Sequence, residues 1–334
     1  MKKILIILLA IFMLAGCGSS EEPEQSGEET QVPARTINIV TTTFPQYDWV
    51  REIIGENNET FELTLLVNSV VDFHSYQPSI GDIAQISAAD LFIYVGGHSD
   101  DWTENAINQA TNPDLIAINL VESLGNAIKM ARLTEGMEHV CDDECEDDHG
   151  EEITELHEEE HVWTSLRNAM ILCSAIAEAI IQLNPENEAV YLANLDAYLE
   201  KLAILDVQYL RMTTMAERET LVFGDRFPFL YLVDDYELNH YAAFSGCYAA
   251  SEIAMSTIVI LSRKLDDYNL NYIMVTETGD HAIAQTIIDA TRNKDHEILV
   301  LHGMKAITTN DVRNGVTYLS IMEDNFEVLR KALN

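Results

Sequence analysis

The sequence predicts an α/β protein with two lobes, each a doubly wound parallel sheet, joined by a long rigid helix. Short, continuously apolar segments alternate with helical segments in both halves of the chain. This alternation is typical of parallel strands that helices cover on both faces. A long stretch without glycine or proline separates the two halves, and 334 residues are enough for two sizeable cores.

The strands are predicted from β-branched and apolar runs, and the helices from apolar residues at helical spacing. In the first half the strands are residues 36–43, 61–67, 90–95 and 115–120, with helices at 47–55, after Pro78, and at 101–109. In the second half the strands are residues 221–224, 241–244, 272–276 and 297–301, with helices at 229–236, 251–268, 278–292 and 318–333.

A single helix is predicted to connect the halves. Residues 165–183 form one periodic helix, Pro185 follows, and residues 186–218 contain no glycine or proline. A helix of that length measures about 45–50 Å, which suits a strut between two lobes; the alternative is a surface helix of one larger domain. The predicted folded regions are an N-terminal lobe, 36–185, a connecting helix, 186–218, and a C-terminal lobe, 219–334.

The N-terminus predicts export and lipid attachment. Two lysines precede an apolar run at residues 4–14, which is too short for an ordinary membrane-spanning helix. The run ends in Leu-Ala-Gly-Cys17, which resembles a lipoprotein signal box; the alternative is an ordinary secretory signal. We therefore expect a signal peptide at 1–16, a flexible polar tether at 17–35 and a lipid on Cys17 that anchors the protein outside the cytoplasmic membrane.

The chain is strongly acidic, with 56 Asp and Glu against 19 Lys and Arg and a net charge of −37. This charge argues against nucleic acid as a partner and against electrostatic docking on anionic lipid. It suits a protein that attracts cations.

Residues 135–160 contain fourteen Asp or Glu and no Lys or Arg, and we expect them to form a solvated, mobile loop. Imidazoles and thiols are spaced along this loop, and they are ligands for zinc: His139, Cys141, Cys145, His149 and His157. We interpret the segment as a metal-collecting loop, the alternative being a solubilising acidic insert. Cys141 and Cys145 are either ligands or a small disulfide that would need a tight turn.

Four side chains follow predicted strands or precede predicted helices in positions eligible for one cleft between the lobes. They are His74, His161, Asp225 and His302. Glu277 ends another strand and is a candidate hydrogen-bond partner for a metal-binding histidine. His98 is a lesser ligand candidate.

Several segments resemble the zinc- and manganese-type substrate-binding lipoproteins of ABC importers. They are INIVTTTFPQYDWVREIIG, VDFHSYQPSIGDIAQISAADLFIYVGG around His74, EHVWTSLRNA around His161, and TYLSIMEDNFEVLRKAL at the C-terminus. The resemblance covers nearly everything after the tether, and an insert rich in His and acid is also a feature of the zinc-type members. It implies one divalent cation bound between the lobes and delivered to a membrane permease.

The resemblance assigns His74 and His161 as the first two ligands. At the third position members carry His or Glu, whereas this chain reads Phe-Gly-Asp225-Arg-Phe, which makes Asp225 the candidate. The fourth position is usually an acid, and here it is His302. Three imidazoles and one carboxylate favour zinc over manganese.

The sequence therefore predicts a monomeric solute-binding lipoprotein that captures zinc for an ABC-type importer. Alternatives are a manganese-binding importer component, a metal-dependent adhesin and, less favoured, a surface-anchored zinc hydrolase. The only HExxH match is HEEEH, from His157 to His161, and it lacks the apolar residues of a buried catalytic helix. We therefore expect a binding protein and not an enzyme.

Overall fold

The computed structural model describes residues 35–55, 58–68, 73–137, 157–246, 253–279 and 281–334. Within them, the folded body belongs to one compact unit, Thr36–Asn334. The predicted signal peptide and nearly all of the tether, including Cys17, lie outside the described residues. So do four of the predicted loop ligands: His139, Cys141, Cys145 and His149.

The first lobe is built on a four-stranded parallel sheet of order β2–β1–β3–β4. Its strands are β1 (Ile37–Thr41), β2 (Phe61–Leu65), β3 (Leu91–Tyr94) and β4 (Ile116–Asn119). Its helices are α1 (Phe44–Ile54), α2 (Ile80–Ala88), α3 (Trp102–Asn108) and α4 (Leu120–Ser123). Alternate strand residues face opposite ways. Ile39 therefore packs in the cluster that includes α1, and Val40 packs in a separate cluster with α2 and α3.

Two helices follow the acidic residues 135–160. They are α5 (Leu166–Leu183) and α6 (Glu188–Thr214). By composition α5 is apolar enough to cross a membrane, but half of it is buried in this body, as in the core helix of a globular protein.

The second lobe repeats the plan of the first with strand order β6–β5–β7–β8, again all parallel. Its strands are β5 (Thr220–Phe227), β6 (Asn239–Ser245), β7 (Tyr272–Val275) and β8 (Glu297–Val300). Its helices are α7 (Leu230–Asp235), α8 (Met255–Asp267), α9 (Ala282–Ala290), α10 (Thr309–Arg313) and α11 (Tyr318–Leu333). The predicted fold class, two parallel-sheet lobes joined by a long helix, is confirmed.

The connecting helix α6 contacts both α1 and α11. Its buried face repeats every three or four residues, as in a helix packed along one stripe: Tyr191, Leu195, Tyr198, Leu202, Leu205 and Tyr209. The amide of Asn194 donates to the carbonyl of Ile53 in α1 at 3.0 Å, and the hydroxyl of Tyr209 donates to the carbonyl of Met322 in α11 at 2.6 Å. One buried apolar cluster accordingly includes Ile39 of the first sheet and Phe223 of the second.

Two helix ends differ from the sequence expectation. The helix α6 ends at Thr214 and not near residue 218, because the backbone of Arg218 leaves the helical path and donates to the carbonyl of Leu333. The helix α8 begins at Met255, with Ala254 at its N-cap, whereas the sequence predicts a cap at residue 251, which lies outside the described residues.

Asp48 ties the last helix to the first. Its carboxylate is buried and accepts the backbone N–H of Tyr318, at the start of α11, at 2.7 Å. Burial raises the pKa of Asp48 to about 6, against the opposing effect of the Tyr318 hydrogen bond. A raised carboxyl pKa means that the folded protein holds this proton more tightly than the unfolded chain does.

The stabilising contribution of protonated Asp48 is complete below about pH 4 and is lost as the pH rises to about 6. The variant D48N keeps an oxygen acceptor for Tyr318 but does not titrate. As the pH rises from about 4 to about 6, the native protein loses stability at this site and D48N does not. The difference in free energy of unfolding between the two proteins should therefore shift in favour of D48N by up to about 3 kcal/mol. Urea unfolding in the presence of a chelator measures this. The control D196N removes a charge from an exposed position of α6 and should show no such pH dependence. If the difference in free energy of unfolding between D48N and the native protein stays constant from about pH 4 to about 6, the raised pKa of Asp48 is contradicted.

Candidate metal centre

His74 follows β2 in the chain and lies in the short 3₁₀ turn Phe73–Ser75. Its ring packs on Phe73, with the ring centroids 3.9 Å apart, and its side chain is almost completely buried. The Nδ1 atom lies 2.7 Å from the hydroxyl of Ser99 and 3.4 Å from the carboxylate of Glu160. Its Nε2 atom points in the opposite direction.

His161 precedes the 3₁₀ turn Val162–Thr164, after which Ser165 caps α5 by accepting the N–H of Asn168. The His161 side chain is fully buried. Its Nδ1 contacts the carboxylate of Glu159, which also accepts the backbone N–H of His161 at 3.1 Å. This double contact fixes both the ring and its backbone.

The two imidazoles meet at their Nε2 atoms, which are 3.0 Å apart. A carboxylate at Nδ1 favours the tautomer that carries the proton there, which directs a lone pair from each Nε2 toward the other ring. Two lone pairs at this distance repel each other unless a proton on one ring or a metal cation lies between them. Two nitrogen ligands of a tetrahedral zinc ion stand about 3.3 Å apart, given Zn–N bonds of about 2.0–2.1 Å. The pair therefore fits a metal cation closely.

Glu159 and Glu160 stand behind the imidazole pair, one behind each ring, and each is only 2% exposed. Burial raises the pKa of Glu159 to about 7, although the N–H of His161 opposes the rise. Burial acts in the same direction on Glu160, but hydrogen bonds from His74 and Ser99 outweigh it and hold the pKa of that carboxyl below its ordinary value. Consecutive glutamates thus orient two histidines that are distant in sequence.

These two glutamates correct the expectation that residues 135–160 are solvated throughout. The end of that run belongs to the folded body, since Met130 and Glu158 form an antiparallel bridge and the N–H of Glu159 donates to Lys129. Burial is tolerated because each carboxylate accepts a backbone N–H and lies beside an imidazole, Glu159 with His161 and Glu160 with Ser99 and His74. The sequence signal that locates them is their position directly before His161, where a metal-binding histidine needs a carboxylate.

His157, a predicted loop ligand, lies beside His98 and not beside the imidazole pair. The two rings are stacked, with centroids 6.0 Å apart. The side chain of His98 is exposed, and its Nδ1 is 2.9 Å from Asp101. Residues 157–160 are not helical, so HEEEH does not form the helix face of a metalloprotease motif.

Asp225 lies in β5, within the register break between Phe223 and Arg226. Its carboxylate accepts the backbone N–H of Thr276 at 3.0 Å and the hydroxyl of the same residue at 2.5 Å. It thereby braces the end of β7 against β5.

His302 follows β8, and its Nδ1 accepts the backbone N–H of Met304 at 3.0 Å. Glu277, expected to support a metal-binding histidine, accepts the N–H groups of Gly303 and Lys305 and lies 3.5 Å from Nδ1 of His302. Within the described part of the chain, no three His, Cys, Asp or Glu side chains are grouped so that they could hold a metal. The structure thus brings His74 and His161 together but leaves Asp225 and His302 apart from them.

The second lobe closes over the imidazole pair. A Cβ atom at Gly246, which follows β6, would lie 3.1 Å from Cε1 of His161. The indole N–H of Trp163 donates to the carbonyl of Gly303, after β8, at 2.9 Å. The hydroxyl of Tyr231 in α7 donates to the carbonyl of Glu159 at 3.1 Å. The candidate site therefore lies where the two lobes meet.

The fold and this site define a two-lobed binding protein with a buried imidazole pair at the junction of its parallel-sheet lobes. The chain belongs to the family described as ZnuA, zinc-uptake complex component A, periplasmic, whose model matches residues 39–332. This match confirms the resemblance to zinc-type substrate-binding proteins.

The chain is similar to two curated zinc proteins along nearly its whole length. It is 27% identical to the zinc-binding lipoprotein AdcA of Streptococcus pneumoniae over 331 residues, which cover 99% of this chain and 61% of AdcA. It is 26% identical to the high-affinity zinc uptake system protein ZnuA of Bacillus subtilis, covering 98% of this chain and 97% of that protein. The chain thus spans about three fifths of AdcA and nearly all of the Bacillus protein.

A solved structure shares the fold. The Zn(II)-bound ZnuA-like domain of Streptococcus pneumoniae AdcA superposes with a TM-score of 0.67 at 25% identity, covering 89% of this chain and 99% of that domain. The two-lobe architecture is therefore common to this chain and to a domain whose zinc-bound state is known.

Gly97 is needed to seat Glu160. Its φ of 77° and ψ of −171° place it in a region open essentially to glycine alone, and an added Cβ would lie 2.7 Å from Glu160. The variant G97A should lower the free energy of unfolding by about 3 kcal/mol, from strain and clash together. At Gly125, φ is 51° and an added Cβ would meet no atom within 4 Å, so G125A should lose only about 1 kcal/mol. Equal losses in urea unfolding would show that contact with Glu160 is unimportant.

Proposed function

We propose that this protein binds one zinc ion at the junction of its lobes and delivers it to an ABC-type importer. The observation that carries the proposal is the facing pair of Nε2 atoms, 3.0 Å apart, with a buried glutamate behind each imidazole. Neutral imidazoles held by carboxylates are the ligand arrangement that zinc prefers. The zinc-binding relatives and the family description support the same cargo.

Binding is favoured over catalysis. A zinc hydrolase needs an open coordination position and a general base in the same site. Here both glutamates beside the imidazoles are engaged at the Nδ1 atoms, where they orient the rings. The family is also described as an uptake-complex component, which supports a carrier.

We further propose Asp225 and His302 as the third and fourth ligands. Both belong to the second lobe, so recruiting them requires specific rearrangements. Asp225 has to release Thr276, and the ring of His302 has to turn away from the N–H of Met304. Anomalous scattering at the zinc edge from crystals grown with zinc would identify the metal and its ligands directly.

The proposed location is outside the cytoplasmic membrane, with a lipid on Cys17 as the anchor. The signal box in the sequence supports this, and so does the lipoprotein named among the relatives. The partner that receives the zinc is the membrane permease of the importer. The protein is proposed to act as a monomer.

Replacing His74 by alanine removes one of the paired Nε2 ligands and should abolish tight zinc binding. We expect the dissociation constant to rise at least about 100-fold, since a lost zinc ligand is only partly replaced by water. Competition titration against a chromophoric chelator measures this. The matched control is H98A, which removes an exposed imidazole paired with Asp101 and should bind zinc as the native protein does. Tight binding by H74A would place the site elsewhere.

Replacing residues 138–156 by a short Gly-Ser linker should keep the tight site and remove weaker ions. These bounds spare His157, Glu159 and Glu160, which belong to the folded body. The expected result is an unchanged dissociation constant for the tight ion, with fewer total ions bound at excess zinc. Equilibrium dialysis with metal analysis measures both quantities. Loss of the tight ion would mean that the replaced segment supplies the principal ligands.

A further inference from the structure

Lys305 is a buried charged residue at the junction of the lobes, only 4% exposed. It lines a narrow gap together with residues of the first lobe that contact the imidazoles. Among these are Phe73, which packs on both histidine rings, and Trp163, whose ring lies 5.4 Å from that of His161. Lys305 of the second lobe therefore shares a gap with the aromatic side chains that contact the imidazole pair.

The loop that carries Lys305 is held from several sides. Glu277 accepts the backbone N–H groups of Gly303 and Lys305 at 2.7 and 2.8 Å. Asn325 bonds both the N–H and the carbonyl of His302. Met304 has a left-handed φ of 61°, which a residue with a side chain adopts only where its surroundings impose it. The position of Lys305 is thus built into the fold.

A buried ammonium is costly unless negative charge lies nearby. Buried negative charge at the junction of the lobes comes from Glu159 and Glu160, which stand behind the two imidazoles and are each 2% exposed. The junction thus also contains a buried positive charge, in a gap lined by the two aromatic side chains that contact the imidazoles.

We propose that Lys305 is an affinity-determining residue of the zinc site, a resident positive charge that weakens capture of the dication and so favours its release. This inference rests on the zinc-binding function proposed above. Like charges separated by a water-poor interior repel much more strongly than they do in bulk water, so a fixed ammonium acts on any dication held by the imidazole pair. Lower affinity appears mainly as faster dissociation, which a carrier needs at its permease.

The test compares three variants by chelator competition at neutral pH. K305M removes the charge and keeps a long apolar side chain, and its dissociation constant for zinc should fall at least about tenfold. K305R keeps the charge and should stay within about threefold of the native protein. K331M removes a charge from α11, where Lys331 is half exposed and pairs with Glu297, and it should not change the affinity.

A gain in affinity is diagnostic, because damage to the fold only weakens binding. The double variant H74A/K305M should not show the gain in zinc affinity that K305M shows. This result would place the effect of Lys305 at the imidazole pair. If the native protein binds zinc and K305M binds it no more tightly, the role of Lys305 is refuted and the proposed function stands. If neither folded protein binds zinc, the proposed function fails. If K305M binds and the native protein does not, the lysine inference holds and the proposed cargo is wrong.

Discussion

The buried pair Glu159–Glu160 is the constraint on which the site depends. Each carboxylate holds one imidazole at Nδ1, and the two imidazoles face each other only because both are held. The same glutamates accept the backbone N–H groups of Ser99 and of His161 itself, so the loop after β3 and the segment before α5 are fixed along with the rings. Chain segments far apart in sequence thereby form one rigid ligand pair, whose geometry is prepared before a metal arrives.

Charge is distributed unevenly between the lobes at this junction. The first lobe contributes two facing imidazoles and two buried carboxylates, whereas the second contributes a buried lysine, the carboxylate of Glu277 beside His302, and small residues that let the lobes approach. Gly246 and Gly303 stand where a larger side chain would meet His161 or the groups around Glu277. The first lobe therefore supplies the ligand pair that is already assembled, and the second supplies closure, a buried lysine and the two further ligands proposed above.

Much of this architecture is predictable from sequence, and the exceptions have physical causes. Alternating apolar strands and helices predict the fold class, and position after a strand selects His74, which the structure places against His161. Glu159 and Glu160 escape such reasoning because composition alone assigns an acidic run to solvent, while their burial depends on partners in other segments. Asp225 and His302 satisfy the same positional rule, and their ligand role stays a prediction, because hydrogen bonds to Thr276 and Met304 engage them apart from the imidazole pair in this structure. Such side-chain partners are invisible in a one-dimensional pattern.

The connecting helix has a consequence for how an ion enters and leaves. Because α6 is bonded to α1 and to α11, and one apolar cluster runs through both sheets, bending the lobes apart would expose a continuous core. Such a core opposes large hinge motions, which are usual only where the interface between lobes is small and polar. Exchange of the ion should therefore proceed through local opening of residues 302–305, which the carboxylate of Glu277 holds through the N–H groups of Gly303 and Lys305. The residence time of the ion would then be set by the stability of this segment, and substitutions of the residues that hold it could tune it.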